Sequence, residues 1–221
     1  MLDQIGPGVY CVYSTGYSSN SYLLLGKKVA LIDTGLKENT PNLLNSLQAL
    51  HLEPKDVSLV FHTHGHADHF GGDHLFPDAE VWMHEHDATY VNAMDELFTA
   101  ARFFKGAYFP KIRRFYVAAE PLPLRPFNLR LLFTPGHTRG SVCFFEPDQK
   151  LLFSGDTLFN QAVGRWDLPS GNLSDLADSL RKIREQDFDL LLPGHGLVRK
   201  ERQKENVDEQ LQRLPQSGAF L

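Results

Sequence analysis

Four histidines within eight residues, in the segment Phe61-His-Thr-His-Gly-His-Ala-Asp-His69, constrain this chain more than any other feature. The segment directly follows a short apolar run, Ser58–Phe61, that predicts a buried strand. Because side chains alternate along an extended backbone, His64, His66 and Asp68 are expected to point the same way just past the strand end. Neutral imidazole and carboxylate groups are ligands that zinc and non-haem iron accept. The segment therefore predicts a metal site where this strand ends.

Three further residues of ligand type each follow a predicted strand and stand beside a glycine. They lie in the turns Pro135-Gly-His137, Gly155-Asp-Thr157 and Pro193-Gly-His-Gly196. Glycine lets the backbone turn sharply, so that the neighbouring side chain can project at the edge of the sheet. The recurrence of this arrangement after three strands, together with the histidine cluster, favours one composite metal site.

The order of strands and helices predicts one α/β domain, residues 1–221, with helices outside a sheet core. The predicted strands are Val9–Tyr13, Ser21–Leu25, Val29–Ile32, Ser58–Phe61, Glu80–Met83, Leu129–Phe133, Val142–Phe145, Leu151–Phe153 and Asp189–Leu192. The predicted helices are Thr40–Leu50, His69–Phe76, Glu85–Lys105, Leu173–Ile183 and Arg199–Leu214.

Composition excludes several functional classes. Lys and Arg number 22 against 27 Asp and Glu, and the net charge of −5 argues against nucleic-acid binding and against a polybasic membrane anchor. The longest apolar runs fall far short of the roughly 20 residues that span a bilayer. The two cysteines, Cys11 and Cys143, cannot form a disulfide framework, and the N-terminus has no leader pattern. A cytoplasmic location is therefore expected.

The chain resembles the metallo-β-lactamase superfamily over nearly its whole length. The residues that carry the resemblance are, in chain order, Asp33-Thr-Gly35, Thr63-His-Gly-His-Ala-Asp-His69, His137, Asp156 and His195. The segments Gly155–Phe159, Gly164–Pro169 and Pro193–Gly196 are similar to the glyoxalase II-like branch. The resemblance implies an αββα sandwich of two mixed β-sheets with helices on the outer faces and metals at one edge between the sheets.

The resemblance also implies a ligand set for two divalent metal ions. One metal would be held by His64, His66 and His137, and the other by the three residues Asp68, His69 and His195, with Asp156 bridging both. Zinc is the metal expected first, and iron or manganese are alternatives. Two cations that share one water lower its pKa from 15.7 to about 7 or below, which gives a hydroxide that attacks a carbonyl. Asp68 is the expected catalytic residue because it can also orient this nucleophile.

A hydrolase acting on a small-molecule thioester or ester is the activity that the glyoxalase II-like features imply. Two alternatives remain open: a persulfide dioxygenase with a single iron at His64, His137 and Asp156, and an acyl-homoserine lactone lactonase with the same two metals. Asp156 argues against β-lactam hydrolysis, because β-lactamases proper generally lack this bridging carboxylate. The residues after His195 are too few for the C-terminal helical domain of full-length glyoxalase II, so recognition of glutathione is left open.

Several other residues have two interpretations. The aromatic segment Leu97–Tyr116 is either a wall or lid of the substrate pocket, which would suit an apolar acyl group, or a surface for helix packing or a homodimer. His84 and His86 repeat the His-x-His spacing without a nearby Asp-His pair, and are interpreted as surface residues. His62 is expected to support the ligands or the packing. Arg165 either contacts substrate or holds its loop by hydrogen bonds.

Overall fold

The structure is a computed structural model, and it describes residues 1–117, 122–200 and 202–215. Its strands are β1 (Leu2–Gly6), β2 (Val9–Val12), β3 (Ser21–Leu25), β4 (Val29–Ile32), β5 (Val57–Phe61), β6 (Glu80–Met83), β7 (Arg114–Phe115), β8 (Arg130–Phe133), β9 (Val142–Glu146), β10 (Leu151–Gly155), β11 (Leu158–Phe159), β12 (Ala162–Val163) and β13 (Leu190–Pro193). Its α-helices are α1 (Thr40–Ala49), α2 (Ala67–Phe70), α3 (Glu85–Asn92), α4 (Leu173–Arg184) and α5 (Gln203–Arg213). Short 3₁₀ helices cover Lys37–Asn39, Pro54–Asp56, Gly71–Leu75 and Ala101–Phe103.

Two mixed β-sheets form the centre of the described ranges. The larger sheet has the order β1-β2-β3-β4-β5-β6-β7, with antiparallel pairs from β1 to β4 and parallel pairs from β4 to β7. The smaller sheet has the order β13-β10-β9-β8, in which only the β13–β10 pair is parallel. The register Leu25–Val29 between β3 and β4 leaves Gly26–Lys28 as a hairpin turn between two of the predicted strands.

Apolar side chains from both sheets meet between the layers. Tyr22 and Phe61 of the larger sheet face Phe153 and Phe144 of the smaller one, with ring centroids 5.2 Å and 6.1 Å apart. Burial of a large apolar side chain contributes roughly 1.5–3 kcal/mol, so this interface supplies much of the folding free energy. It also fixes the strand ends of the two sheets relative to one another.

Helices cover the outer face of each sheet. The apolar stripe of α1, which includes Leu43 and Leu47, packs on the outer side of the larger sheet. Leu176, Leu180 and Ile183 of α4 pack with α5 on the outer side of the smaller sheet. The described chain is therefore the predicted αββα sandwich, and the expectation of two mixed sheets is confirmed.

The structure corrects the predicted helix Glu85–Lys105. α3 ends at Asn92, because Met94 adopts a positive φ of 55° and the backbone N–H of Asp95 donates to the carbonyl of Tyr90 at 3.0 Å, which closes the helix. The side chain of Asp95 then accepts hydrogen bonds from the backbone N–H groups of Leu97 (3.0 Å) and Phe98 (2.9 Å) in the turn that follows. Ala100 then adopts a positive φ of 56°, which no helix continues through. The aromatic segment is consequently a set of turns with one 3₁₀ helix, and it can follow the surface beside the metal ligands.

Two other predicted helices have different bounds. The helix predicted at His69–Phe76 begins at Ala67 as α2 and becomes a 3₁₀ helix at Gly71–Leu75, where the N–H of Gly72 donates to the carbonyl of Gly35. The terminal helix was predicted to begin at Arg199. It begins at Gln203 as α5, because Arg199 pairs with Leu191 as an isolated β-bridge. The short strands β1, β7, β11 and β12 were not predicted, since two to five residues carry little periodicity.

No helix among the described residues is both long and apolar enough to cross a membrane. The single domain over 1–221, the homodimer and the cytoplasmic location stay predictions.

Candidate metal centre

The metal ligands predicted from the sequence come together where strands of the two sheets end. β5 leads into the loop that carries His64 and His66, and β8 leads to His137. The Nε2 atom of His64 lies 3.1 Å from Nδ1 of His66, and Nε2 of His137 lies 2.9 Å from the same atom. These three side chains are buried and direct their ring nitrogens at one point.

A second group of ligand atoms adjoins the first. Nε2 of His195 lies 3.2 Å from Oδ2 of Asp68, and Nε2 of His69 lies 3.9 Å from that oxygen. Asp156, at the end of β10, lies between the groups: its Oδ1 is 3.3 Å from Nε2 of His69, and its Oδ2 is 3.6 Å from Nε2 of His137. All seven predicted ligands therefore face one another.

The chemistry of these atoms fits divalent cations. Two ligand atoms bound to one tetrahedral zinc at about 2.0–2.1 Å are about 3.3 Å apart. Nε2 of His137 lies 2.9 Å from Nδ1 of His66 and 3.6 Å from Oδ2 of Asp156, and these two distances bracket that value. Nε2 of His69 and Oδ1 of Asp156 are moreover buried without a hydrogen-bond partner. Buried polar atoms are costly when unpaired, so a cation that both atoms can bind satisfies them.

Asp33 orients two of the histidines from behind. Its Oδ2 accepts hydrogen bonds from Nδ1 of His69 and from the hydroxyl of Thr63, both at 2.8 Å. The same hydroxyl accepts from Nδ1 of His64 at 3.1 Å. A proton on Nδ1 leaves the lone pair of Nε2 for a metal, so Asp33 sets the ligand tautomer of both rings. Burial would raise the pKa of Asp33, but the charge of His69 and hydrogen bonds from His62 and His69 lower it to about 2.

His62 lies in the layer behind the ligands, as predicted. Its Nε2 is 2.9 Å from Oδ2 of Asp73 and its Nδ1 is 3.4 Å from Oδ1 of Asp33. Burial opposes protonation, but these two carboxylates raise the pKa of His62 to about 9. Asp73 also accepts from the hydroxyl of Thr34 at 2.7 Å. Neither Asp73 nor Thr34 was predicted from the sequence, although Thr34 stands within the segment Asp33-Thr-Gly35 that carries part of the family resemblance.

The loop that follows Asp156 holds His137. Nδ1 of His137 donates to the backbone carbonyl of Arg165 at 2.7 Å, which again directs Nε2 towards the other ligands. At position 164 the loop passes so close to the backbone of Asp156 that only glycine fits, because a Cβ there would lie 1.8 Å from the carbonyl oxygen of Asp156. The guanidinium of Arg165 pairs with both carboxylate oxygens of Asp167, at 2.9 Å and 2.7 Å. Arg165 therefore holds its loop by hydrogen bonds, one of the two predicted roles.

Asp87 of α3 ties together the two loops that carry the first ligand group. Its Oδ2 accepts from the N–H of Gly65 (2.9 Å) and the hydroxyl of Thr138 (2.6 Å), and its Oδ1 accepts from the N–H of Gly140 (2.9 Å). A Cβ at position 140 would lie 2.4 Å from Oδ1 of Asp87, so glycine permits this contact. Sequence analysis missed Asp87, because its partners are distant in the chain.

His84 and His86 lie outside the groups of ligand atoms, in agreement with their interpretation as residues that do not bind metal, although neither is fully exposed. Both are partly buried. Nδ1 of His84 accepts the N–H of His86 at 3.1 Å and caps α3, while the ring of His86 lies 3.3 Å from Asp87 and contacts Tyr90 and Phe98. They are used in helix capping and packing.

Charge in the cluster favours a cation. Burial and the neighbouring His137 lower the pKa of His66 to about 4, so this imidazole is neutral at pH 7. Burial would raise the pKa of Asp156, but the charges of His69 and His195 lower it, so the carboxylate is ionised. Burial would also lower the pKa of His69, but the charges of Asp33, Asp156 and Asp68 raise it well above its ordinary value. Positive charge is thus stabilised beside Nε2 of His69, where a metal would bind.

The ligands open into a cleft of about 430 Å³. Phe103 and Phe104 of the aromatic segment line this cleft. Phe109 instead packs on Phe70, with ring centroids 5.7 Å apart, and the buried Tyr116 donates its hydroxyl to the carbonyl of His62. Phe103 and Phe104 therefore lie beside the ligand atoms while Phe109 and Tyr116 pack inside the protein, and the substrate and homodimer roles of the segment stay predictions.

Comparison with known proteins agrees with this arrangement. A family model described as the metallo-beta-lactamase superfamily matches residues 14–195, a range that includes all seven predicted ligands. The chain belongs to the metallo-beta-lactamase superfamily. Together with the histidine-rich cluster, this membership identifies a metallo-hydrolase fold with a site for divalent metal.

Two curated relatives and one solved structure are similar over most of their length. The probable metallo-hydrolase MJ0888 of Methanocaldococcus jannaschii is 34% identical over 190 residues, which cover 83% of this chain and 90% of the relative. Hydroxyacylglutathione hydrolase GloC of Haemophilus influenzae is 33% identical over 193 residues, covering 82% and 87%. The structure of TTHA1623 in a di-iron-bound form superposes with a TM-score of 0.69 at 30% identity, covering 86% and 93%.

Proposed function

We propose that this metallo-beta-lactamase superfamily member is a binuclear metal-dependent hydrolase that cleaves a thioester or ester bond of a small molecule. The observation that carries the proposal is the position of Asp156 between the two groups of ligand atoms. Its two oxygens face His69 and His137 respectively, at 3.3 Å and 3.6 Å. A carboxylate placed in this way could contact two metals at once. One metal held by His64, His66 and His137 alone would leave Nε2 of His69 buried without a hydrogen-bond partner.

The ligand assignment follows from the two groups. His64, His66 and His137 would hold one metal, the set Asp68, His69 and His195 would hold the other, and Asp156 would contact both. Imidazole and carboxylate ligands suit zinc, and iron or manganese accept the same donors. When bound, two divalent cations supply a water that ionises near neutral pH and a Lewis acid for the substrate carbonyl.

Asp68 is the protein group best placed to act on the nucleophile. Its side chain is 15% exposed, at the floor of the cleft, and its Oδ2 lies 3.2 Å from Nε2 of His195. Burial would raise the pKa of Asp68, but the charge of His69 and a hydrogen bond from His195 lower it. An ionised carboxylate at this place accepts a hydrogen bond from a water in the cleft and orients it towards a bound carbonyl.

Two relationships support hydrolysis of thioesters or esters. GloC is named a hydroxyacylglutathione hydrolase, and it aligns with 82% of this chain. The di-iron form of TTHA1623 is a related structure with two metals. The lactonase alternative uses the same two metals and also cleaves an ester. The dioxygenase alternative would use only His64, His137 and Asp156, and gives no role to the second ligand group.

Metal content per chain tests the proposal directly. We would measure it by elemental mass spectrometry on protein purified without added metal or chelator. Two metals per chain and turnover in a panel of thioesters, esters and lactones are expected. A content of one iron per chain, with oxygen uptake in the presence of a persulfide, would replace the hydrolase by the dioxygenase.

A further inference from the structure

The cleft above the ligands is lined by apolar side chains that metal binding does not use. They come from separate parts of the chain: Tyr17, Phe103, Phe104, Phe159 and Leu168. Tyr17 is 81% exposed and Phe103 is 65% exposed, so these two rings present most of their surface to solvent. Large exposed apolar surface at the edge of a binding cleft is stabilised when an apolar ligand covers it.

The same cleft offers little for an anionic group. Apart from the histidines, Arg165 is the one residue with a cationic side chain among the described residues that line the cleft. Its Nε and Nη2 atoms each donate a hydrogen bond to the carboxylate of Asp167. Arg102 lies over the ring of Phe103, 4.8 Å from its centroid, but is not a lining residue. A leaving group with several carboxylates therefore finds no unpaired lysine or arginine side chain among the described residues that line the cleft.

We propose that this cleft binds an apolar acyl chain of medium length, and that the substrate is a thioester or ester of such an acid with no requirement for a glutathione leaving group. The inference rests on the proposed function, because the metal ligands form the floor of the cleft. It assigns specificity to Phe103 and Tyr17, whose rings cover the chain while the carbonyl carbon lies near Asp68.

A series of thioesters of N-acetylcysteamine tests the acyl preference, because this small neutral thiol keeps the leaving group constant. With acetyl, butyryl, hexanoyl and octanoyl groups, kcat/KM is expected to rise about two- to fourfold per methylene as far as hexanoyl. The hexanoyl thioester of glutathione is expected to be no better a substrate than that of N-acetylcysteamine.

Phe103→Ala tests the assigned residue. The substitution is expected to lower the ratio of hexanoyl to acetyl kcat/KM by about five- to tenfold, because part of the acyl chain then stays in water. Phe115→Ala is the matched control: Phe115 is 41% exposed and does not line the cleft, so the ratio should not change.

Binding of inert thioethers separates this inference from the proposed hydrolase. Calorimetry is expected to give tighter binding of S-hexyl than of S-methyl N-acetylcysteamine, and this difference should fall in Phe103→Ala. Binding with this pattern but no hydrolysis of any thioester or ester would overturn the proposed function and keep the apolar acyl site. Efficient hydrolysis with no effect of chain length, or with a strong preference for glutathione, would overturn the inference and keep the hydrolase.

Discussion

The carboxylate of Asp33 accepts the Nδ1 proton of His69 at 2.8 Å, while Nε2 of the same ring points at Asp156 from 3.3 Å. The ring is therefore held between a carboxylate behind it and the metal ligands in front. His69 therefore links the ends of the two sheets, because Asp33 follows β4 of the larger sheet and Asp156 follows β10 of the smaller one. The ligand geometry thus depends on a residue that cannot itself reach a metal at the cleft.

Asp33→Asn should weaken metal binding without removing a ligand. The amide can present a donor to Nδ1 of His69, which disturbs the tautomer that leaves Nε2 free. We expect a loss of about 10–100-fold in metal affinity, measured by competition with a chromophoric chelator. Asp3→Asn, in an exposed part of β1, is the control. Unchanged affinity in a folded Asp33→Asn variant would show that Asp33 does not set the tautomer.

Asp156→Ala should abolish most of the activity and lower the metal content below the two per chain that we propose, because its two oxygens lie 3.3 Å from His69 and 3.6 Å from His137, one in each ligand group. The sheets are expected to stay folded, since the core between them does not include Asp156. Circular dichroism checks that the sheets stay folded, and elemental analysis measures the metal content. Asp148→Ala, in the exposed β9–β10 turn, is the matched control. Full activity of Asp156→Ala would exclude the two-metal mechanism.

Asp87→Asn should loosen the two loops that Asp87 joins. Three donors, the N–H groups of Gly65 and Gly140 and the hydroxyl of Thr138, point at its two oxygens, and an amide has only one acceptor atom. We expect a loss of about 1–3 kcal/mol in the free energy of unfolding from a donor left unpaired. Metal should be lost first from the group with His66. Substitution of the exposed Asp187 by Asn should change neither quantity.

The local signals in the sequence predicted which residues of ligand type the fold brings together, because each follows the end of a strand. The histidine cluster, for example, needs only β5 before it to direct His64 and His66 into one site. Asp33 was named only as one of the residues that carry the family resemblance, and no contact was predicted for it. Nothing nearby in the chain indicates that it bonds residues 30 and 36 positions later.

Asp87 could not be predicted for the same reason, since its partners lie 22 and 53 residues away. The error in the helix Glu85–Lys105 has a different cause. Helical composition continues past Asn92, but the positive φ of Met94 ends the helix, and the side-chain cap from Asp95 and the positive φ of Ala100 keep the following residues in turns. Such tertiary and capping contacts outweigh average propensity.

His84→Ala should leave the metal content unchanged, because His84 is outside the described ligand groups. Its ring nitrogen caps the N-terminus of α3 at 3.1 Å, so a loss of about 0.5–2 kcal/mol in unfolding free energy is expected. Chemical denaturation and elemental analysis of the same sample measure both effects. A reduced metal content at native stability would mean that the ligand set includes the His84–His86 segment.

Removal of metal by a chelator should lower the unfolding temperature. A ligand that binds only the native state stabilises it by about 4 kcal/mol when its concentration is about 1,000 times its Kd. Without metal, Nε2 of His69 and Oδ1 of Asp156 are also left buried and unpaired. Differential scanning calorimetry before and after dialysis against chelator measures the change, and re-addition of zinc, iron or manganese should restore it. The same chelator treatment of Asp156→Ala is the control, and it should produce a smaller shift. An identical shift in both proteins would show that the carboxylate of Asp156 contributes nothing to metal-linked stability.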